Sequence, residues 1–525
     1  TGSVTTIKSE EIMRVSQTNL LQALAVLTPG MRILENNEQG SNPNYVPEIV
    51  IRGTSSISAK EQQGLNRPLI MLDGVEITLE QLYDLDMFDI DRVDVLKDAS
   101  ATAIYGVKAA NGVIVITTKR GKAGRLSVSY SGNYSIGSKV TYDKLDLMNS
   151  KERIDVSREV YESGYVSQSS TLASVGYAGL FKQYLEDKIS YEAFNSGVKK
   201  LETMNTDWFD LLFENPFSHS HNISVSGGSD KSTYRFSFGI TNNNGTAKGN
   251  DSETYNGSMN ISTIFKEKLT LMASLAGSMT KTNGFNGTDP YQYAYSMSRA
   301  IPCYNEDGSL FYYKDASGYN FNILNELANM ANKNRQLSMN ANLNATYDII
   351  PGLKYALTFA YSASSTHAEA WAAELSNSIA QIRGYEFGEY GATDDAYKQS
   401  KLPHGGKLDQ NETRMESWTL RNQVSFVRTF NRHLVTATIG QESRSTRNEA
   451  YAETIYGYLP SRGKSIMSPP ITVQNSFNSG VQIANTLYEE MGQKITDNIS
   501  NYLSYYATLD YSFDERYSLN SSIRW

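Results

Sequence analysis

The order of apolar and polar residues divides the chain into two textures. Up to Gly121 the pattern is mixed. Glu10 and Glu11 open a helical stretch, where acidic charge complements the helix dipole. Leu20, Leu21, Leu24 and Leu27 keep helical spacing, and Thr28-Pro29-Gly30 ends that run. Short strand-like pieces follow at Met31 to Leu34, Ile49 to Arg52 and Leu69 to Leu72, the last met by the turn pair Asp73-Gly74. Leu79 to Leu85 reads as a second helix and Arg92 to Leu96 as a strand. A small-residue helix near Ser100 to Tyr105 and the apolar strand Val113 to Thr118 complete a compact α/β unit.

After Gly121-Lys122-Ala123-Gly124 strict alternation takes over. Leu126, Val128, Tyr130, Tyr134 and Ile136 share one face of a strand, and Ser127, Ser129, Ser131, Asn133 and Ser135 share the other. An apolar face opposite a small, polar one suits lipid outside and water inside. The pattern recurs in hairpins: Tyr234 to Thr241 after a strand near Asn222 to Gly228, Tyr255 to Phe265 with Leu269 to Met279, and Leu337 to Tyr347 with Tyr355 to Tyr361. Further turns fall at Phe430 to His433 and Asp514 to Arg516.

Within each hairpin the connection is a few residues. Between hairpins it is long: Lys281 to Gln336, Ser362 to Glu416 and Glu442 to Asn498. Short turns at one end and long loops at the other describe an outer-membrane barrel, and a soluble sandwich has no reason for the asymmetry. About eleven strands are expected, the last being Tyr517 to Trp525. A closed barrel leaves no free edge, so partner strands are expected beyond Trp525. Plugged transporter barrels of about 22 strands fit twice this count.

Composition agrees without deciding the matter. Hydrophobic residues make up 40% and charged residues 20%, with no apolar run long enough for a spanning helix, which needs ~18 residues. Tyrosine, at 35 against 18 Phe and 4 Trp, suits strands, barrel girdles and polar binding walls. A net charge of −8 argues against a nucleic-acid footprint. Cys303 stands alone, which excludes an intrachain disulfide. The opening Thr1-Gly2-Ser3-Val4 is not a signal peptide, so preceding residues are expected.

The glycines of the first unit fall at turns and close approaches: Gly53, Gly74, Gly106 and Gly112. Asp73-Gly74 is a hairpin-type turn, and Asp98, after Lys97, is placed to cap a short helix. The segments that hold them carry a family resemblance. They are Ile49-Val50-Ile51-Arg52-Gly53, then Arg67 to Val75 (RPLIMLDGV), then Asp89 to Gly121 (DIDRVDVLKDASATAIYGVKAANGVIVITTKRG). These resemble the plug of the SusC/RagA-type TonB-dependent transporters of Bacteroidetes over residues 3–130. The barrel agrees more loosely, through its pattern, Pro302 to Gly308 and the closing strand.

The resemblance implies a transmembrane antiparallel β-barrel of about 22 strands with a small N-terminal α/β plug domain in its lumen. Residues 1–123 would be the plug and 124–525 the N-terminal half of the barrel. Arg52, Gly53, Asp73, Gly74, Lys97, Asp98, Tyr105, Gly106, Asn111 and Gly112 form the plug signature, with a structural role. The implied function is TonB-dependent import of an oligomeric nutrient across the outer membrane, an oligosaccharide first and an oligopeptide second. The partners it implies are a SusD-like surface lipoprotein acting as a lid, the TonB-ExbB-ExbD complex and outer-membrane lipid. Nucleic acid and cofactors have no place in it. The signal peptide, the N-terminal extension, the TonB-contacting segment and the second barrel half are not in this sequence.

Two polar plug loops, Glu35 to Pro47 and Thr54 to Arg67, are the natural floor of a binding site. Asn42, Asn44, Tyr45 and Gln63 are candidate substrate contacts, able to hydrogen-bond or stack on sugars or peptide groups; the plain alternative is that they are loop residues only. The Tyr-rich stretch Tyr291 to Tyr319 is a second candidate, for substrate or for the lid. No metal site is expected. His219 and His221 share a strand face without a completing carboxylate or thiol, and belong to a girdle or the lumen. Asp84, Asp86, Asp89 and Asp91 lack the EF-hand order and are expected to form a solvated acidic face. Asn305 to Gly308 reads as a turn. No phosphate loop, nucleophile elbow or HExxH motif is present, so catalysis has no support. The competing readings are a single-component receptor for an iron chelate, haem or vitamin, and a non-transport surface protein such as an adhesin.

Overall fold

The computed structural model describes residues 4–16, 20–34, 42–51, 67–97, 109, 111–164, 174–514 and 516–525. Seven short strands come first: β1 (Val4–Lys8), β2 (Met31–Leu34), β3 (Glu48–Ile51), β4 (Leu69–Leu72), β5 (Val75–Ile77), β6 (Ile90–Leu96) and β7 (Val113–Thr118). Five form a sheet in the order β1-β6-β7-β4-β5, while β2 and β3 pair as a separate ribbon. Among the described strands, only β4 and β7 run parallel. The helices Ser9–Val15, Leu20–Leu27 and Leu79–Tyr83 supply Ile12, Leu21, Leu24 and Leu82 to a core shared with Val93, Val95, Ile114 and Ile116. All four residues of β4 are buried, because Leu69 and Met71 pack on Val113 and Ala109 at the opposite face. Thr78 starts its helix by a capping box, accepting from Gln81 N while Gln81 Oε1 takes the Thr78 N–H.

Two glycines here are required by geometry. Asp73 and Gly74 have φ of 48° and 89°, the left-handed pair of a tight turn joining β4 to β5. Gly112 has φ 96°, and a Cβ there would sit 3.2 Å from the Leu96 carbonyl oxygen. Gly112→Ala is therefore expected to destabilise this unit by about 1–2 kcal/mol. Urea unfolding followed by protease sensitivity of residues 1–123 would check it; an unchanged midpoint would refute the assignment of strain.

The larger sheet begins with β8 (Gly124–Ile136), β9 (Phe217–Gly228), β10 (Ser232–Asn244), β11 (Asp251–Phe265) and β12 (Leu269–Gly284). After the small loop strands β13 (Tyr313–Lys314) and β14 (Asn320–Phe321), it continues with β15 (Met330–Ile350), β16 (Leu353–Ala372), β17 (Gly406–Phe430) and β18 (His433–Leu459). The loop strands β19 (Ser465–Ile466), β20 (Thr472–Gln474) and β21 (Gln482–Ala484) precede β22 (Gln493–Phe513) and β23 (Tyr517–Arg524). Eleven long strands form one antiparallel ladder, β23-β22-β18-β17-β16-β15-β12-β11-β10-β9-β8, matching the expected number. The sheet is not closed: β8 and β23 are its edges.

The expected alternation is visible in exposure. Phe236 (43%) and Phe238 (49%) point outward on β10, while Arg235 and Ser237 between them are buried at 9%. On β9, Ser220, Asn222 and Ser224 are buried inward and Ile223 is exposed. Aromatic side chains gather at two levels. One holds Phe265, Phe430 and Tyr517, with the His433 ring 5.9 Å from Tyr511 and 4.9 Å from Phe513. The other holds Tyr130, Tyr134, Phe217, His219 and His221, where Tyr130 Oη meets His221 Nδ1 at 2.7 Å. The two histidines thus lie in a girdle. No helix among the described residues is long and apolar enough to cross a membrane.

Two features depart from expectation. The strands outlast the alternating pattern, so the connections are 285–329, 373–405 and 460–492, shorter than the spacing of apolar hairpins suggested. Two residues at a time from outward-facing Trp418, β17 presents Glu416, Arg414 and Glu412, and its partner β18 presents Arg447 and Glu449. Beyond the lipid both faces meet water, so the ladder continues without a hydrophobic signature. The second feature is the connection 137–216, which carries the helices Ser150–Glu162, Gly176–Leu185, Tyr191–Glu202 and Trp208–Leu212. Ile154, Tyr177, Phe194 and Val198 build a small core of its own, and Trp208 anchors a second one that reaches Ala294 and Ile323 in the next long connection.

Candidate functional site

The first unit seats against the inward face of the larger sheet, and the seam between them is where its polar side chains meet. Asp89 is the main anchor. Its carboxylate pairs with Arg235 at 2.8 Å and accepts from Ser258 at 2.9 Å and from the Ser237 hydroxyl. Arg235 also donates to Ser224 Oγ at 2.9 Å. Asp86 accepts from Asn222 Nδ2 at 2.6 Å and from Phe88 N at 2.9 Å. Glu76 on β5 pairs with Arg444 on β18. Asn342 Nδ2 donates to the Asp73 carbonyl at 2.5 Å. Each inward partner sits at an alternate strand position, so the period of two aims it at the plug.

The solvated acidic face is therefore corrected. Asp84, Asp86 and Asp89 face the wall, and Asp91 alone is exposed. The short helix Leu79–Tyr83 and the turn Met87–Asp89 that follows direct them there. Burial raises the Asp84 carboxyl to about 7, opposed by a hydrogen bond from Thr280. Burial and then the Asp89 charge raise Asp86 to about 6, offset by its bonds from Phe88 N and Asn222.

Asn42 and Asn44 lie at the same seam, toward the long connections. Asn44 Nδ2 donates to Asn250 Oδ1 at 2.7 Å and to the Asn283 carbonyl at 2.6 Å. Asn42 Oδ1 accepts from Asn44 N at 2.9 Å and from Asn250 Nδ2 at 3.0 Å. Asn42 also lines a cavity of about 270 Å³ with Phe285, Asp289 and Tyr291, which joins one plug candidate to the Tyr-rich stretch. Tyr45 is half-buried beside them. Gln63 lies outside the described residues.

Of the signature residues, Arg52, Gly53, Asp98, Tyr105 and Gly106 also lie outside the described residues. Asp73 accepts from Thr118 N at 3.0 Å and from Thr118 Oγ1 at 2.6 Å, locking the β4–β5 turn to β7. Lys97 Nζ donates to the Pro29 carbonyl at 2.7 Å, tying the end of β6 to the helix terminus before β2. Asn111 precedes Gly112, the tight position described above.

A family model described as TonB-dependent Receptor Plug Domain matches residues 1–113. The chain is 34% identical over 275 residues to TonB-dependent receptor SusC of Bacteroides thetaiotaomicron, covering 51% of this chain and 23% of that protein. It is 27% identical over 376 residues to TonB-dependent receptor P3 of Formosa agariphila, covering 70% and 32%. Among solved structures, the RagAB peptide transporter superposes on 100% of this chain and 55% of that chain, with a TM-score of 0.74 at 22% identity. The chain is thus similar to the SusC/RagA-type TonB-dependent transporters, through its plug segment in sequence and through the fold of its strands.

It spans about half the length of the solved relative it matches. On a strand fold of this outer-membrane type, the two girdles mark the lipid boundaries. From Tyr255 to Phe265, β11 crosses between them with about the ~9–11 residues that a tilted strand needs. Of the anchoring residues, Arg235, Glu76 and Arg444 were not singled out by sequence reasoning, and Asp89 only as part of a solvated acidic face. An arginine at an inward position of an otherwise Ser/Thr/Asn strand face was the available signal.

Proposed function

We propose that this SusC/RagA-type chain is the plug, residues 1–123, and the first half of the barrel, residues 124–525, of a TonB-dependent importer for an oligomeric nutrient. The observation that carries the reading is the set of polar contacts that seats the plug among the described residues, Asp89 with Arg235 and Glu76 with Arg444 foremost. Hydrogen bonds and ion pairs hold a domain in register yet exchange for water when it is pulled. An apolar seam would not release so readily. In this reading the barrel is completed by strands outside the present sequence, since open edges are not tolerated in hydrocarbon. The TonB-ExbB-ExbD complex draws on the plug from the periplasm, and a SusD-like surface lipoprotein covers the long-connection end.

The inward wall supports a neutral polar solute. Ser252, Thr254, Asn256, Thr280, Asn340 and Ser362 face inward and carry hydroxyls and amides rather than charge. This composition suits the hydroxyl-rich surface of an oligosaccharide, and peptide backbone amides second. Asn42 and Asn44 form part of the floor in this scheme. The test is uptake of labelled oligosaccharides and oligopeptides by cells carrying the intact protein, with and without TonB and the neighbouring lipoprotein. Loss of uptake on removing either partner is expected. Uptake that persists without TonB would overturn the transport reading, and uptake that persists without the lipoprotein would favour a single-component receptor.

A further inference from the structure

Just outside the girdle, on the long-connection side, one part of the wall carries cations that its own carboxylates do not match. Tyr255 lies opposite Met279 on β12, and Met279 lies opposite Leu337 on β15. Two residues further toward the long connections, about 7 Å along the strands, Lys281 and Arg335 stand directly opposite each other. Lys333 follows two residues on along β15. All three are exposed and share the parity of outward-facing Leu275 on β12 and Leu337 on β15. Like charges directly opposite on neighbouring strands repel, so the ladder gains nothing from this pair by itself.

The carboxylates around it are engaged elsewhere. Glu253 reaches Lys281 only at 3.8 Å and accepts from Tyr255 Oη at 2.5 Å. Asp251 accepts from Asn283 Nδ2 at 2.8 Å. Glu369, opposite Lys333 in register, pairs with Lys464 at 3.1 Å and with His367 at 3.2 Å. His367, opposite Arg335, also meets Glu412 at 3.0 Å. Arg335 has a contact to the Met279 sulfur at 3.9 Å. Among the described residues, neither Arg335 nor Lys333 has a carboxylate within 4.0 Å. Other rim cations are closely matched: Arg414 by Glu416 at 2.7 Å, and Arg447 by Asp497 at 2.7 Å and Glu449 at 2.8 Å.

We propose that Lys281, Lys333 and Arg335 form a docking patch for a membrane lipid whose headgroup carries a phosphate monoester. The planar fork of an arginine and the compact charge of a lysine suit phosphate oxygens, and one phosphate between Lys281 and Arg335 turns their repulsion into a bridge. On the lipid side of the cations, Leu275, Leu337, Met339 and Leu343 are exposed, with Gly277 and Ala341 as small positions among them. That surface takes the acyl chains, and the cations sit at headgroup depth above it. A zwitterionic lipid brings its own cation and gains less from the patch, while free phosphate lacks the chains. The site rests on the placement of the girdle and not on the solute imported.

Native mass spectrometry of the intact transporter in neutral detergent tests it, with dioleoyl phosphatidic acid, dioleoyl phosphatidylcholine and inorganic phosphate as probes. Phosphatidic acid is expected to stay bound after phosphatidylcholine is stripped, and equimolar inorganic phosphate should not displace it. A cation beside an anionic headgroup is worth roughly fivefold in binding, so Lys281→Gln with Arg335→Gln should weaken phosphatidic acid by about 25-fold. Removing a like-charged pair leaves the ladder intact, so the double variant should keep its heat-modifiable mobility in phosphatidylcholine vesicles. Arg414→Gln, at a matched rim cation, should leave the affinity within about twofold. Equal retention of the two lipids, or displacement by inorganic phosphate, overturns the patch. So does an equal loss in Arg414→Gln and the double variant, which would mean that these side chains only reach for water at the membrane edge.

Discussion

An Asp89→Ala variant of the intact transporter is expected to lose about 3–5 kcal/mol of plug seating, the cost of leaving a buried charge unmatched. Its partner Arg235 has a side chain only 10% exposed and Asp89 one only 13% exposed, so solvent screens the pair weakly. The same carboxylate serves Ser237 and Ser258, which lose an acceptor at the same time. Arg235 would keep one bond, to Ser224. The measurement is the urea concentration at which residues 1–123 become accessible to protease while the barrel stays folded. Asp91→Ala, at the exposed neighbour, should leave that midpoint within about 0.5 kcal/mol. If the two variants release together, the Asp89 anchor is not what seats the plug. Asp89→Asn adds a finer reading, since it retains hydrogen-bonding capacity without the charge.

The second large effect is expected on the lipid face. Ile261 lies on β11 between the girdle residues Tyr255 and Phe265, opposite Tyr234 on one side and Ala273 on the other. Ile261→Arg places a guanidinium near the middle of the hydrocarbon and should cost about 2–4 kcal/mol. Ser262→Asn, one residue on, changes an inward polar group for another and should cost under about 0.5 kcal/mol. Folding yield and heat-modifiable electrophoretic mobility in lipid vesicles would report both. Equal tolerance at 261 and 262 would mean that the faces are assigned the wrong way round.

How far the sequence alone leads can be judged strand by strand. Where one face meets lipid and the other meets water, the period of two is plain, and Leu126 to Ile136 or Tyr234 to Thr241 could be placed to within a few residues. Where both faces meet water, as at Glu412 to Glu416, nothing in the pattern distinguishes a strand from a loop, and the connections were read as too long. The helices between β8 and β9 were missed for a related reason. Their apolar residues, such as Ile154, Phe194 and Val198, are few, and they bury against one another in a small local core. The acidic run at Asp84 to Asp91 shows a third limit. Its composition suggested a solvated surface, yet Arg235 and Asn222, the groups that give it a partner, come from strands more than a hundred residues away. The turn at Asp73-Gly74 was legible because its backbone angles demand those residue types locally. Asn42 and Asn44 were legible only as polar loop residues, because their tie to Asn250 is a matter of tertiary placement.

The 27 residues of β18 far exceed the ~11 that a bilayer requires. At about 3.3 Å per residue and a tilt of roughly 45°, the surplus lifts the rim of the wall on the order of 35 Å clear of the acyl chains. In the proposed importer, solute would be met at the mouth of a tall chimney, well outside the headgroup layer. It would then descend a hydroxylated shaft before any movement of the stopper below could matter.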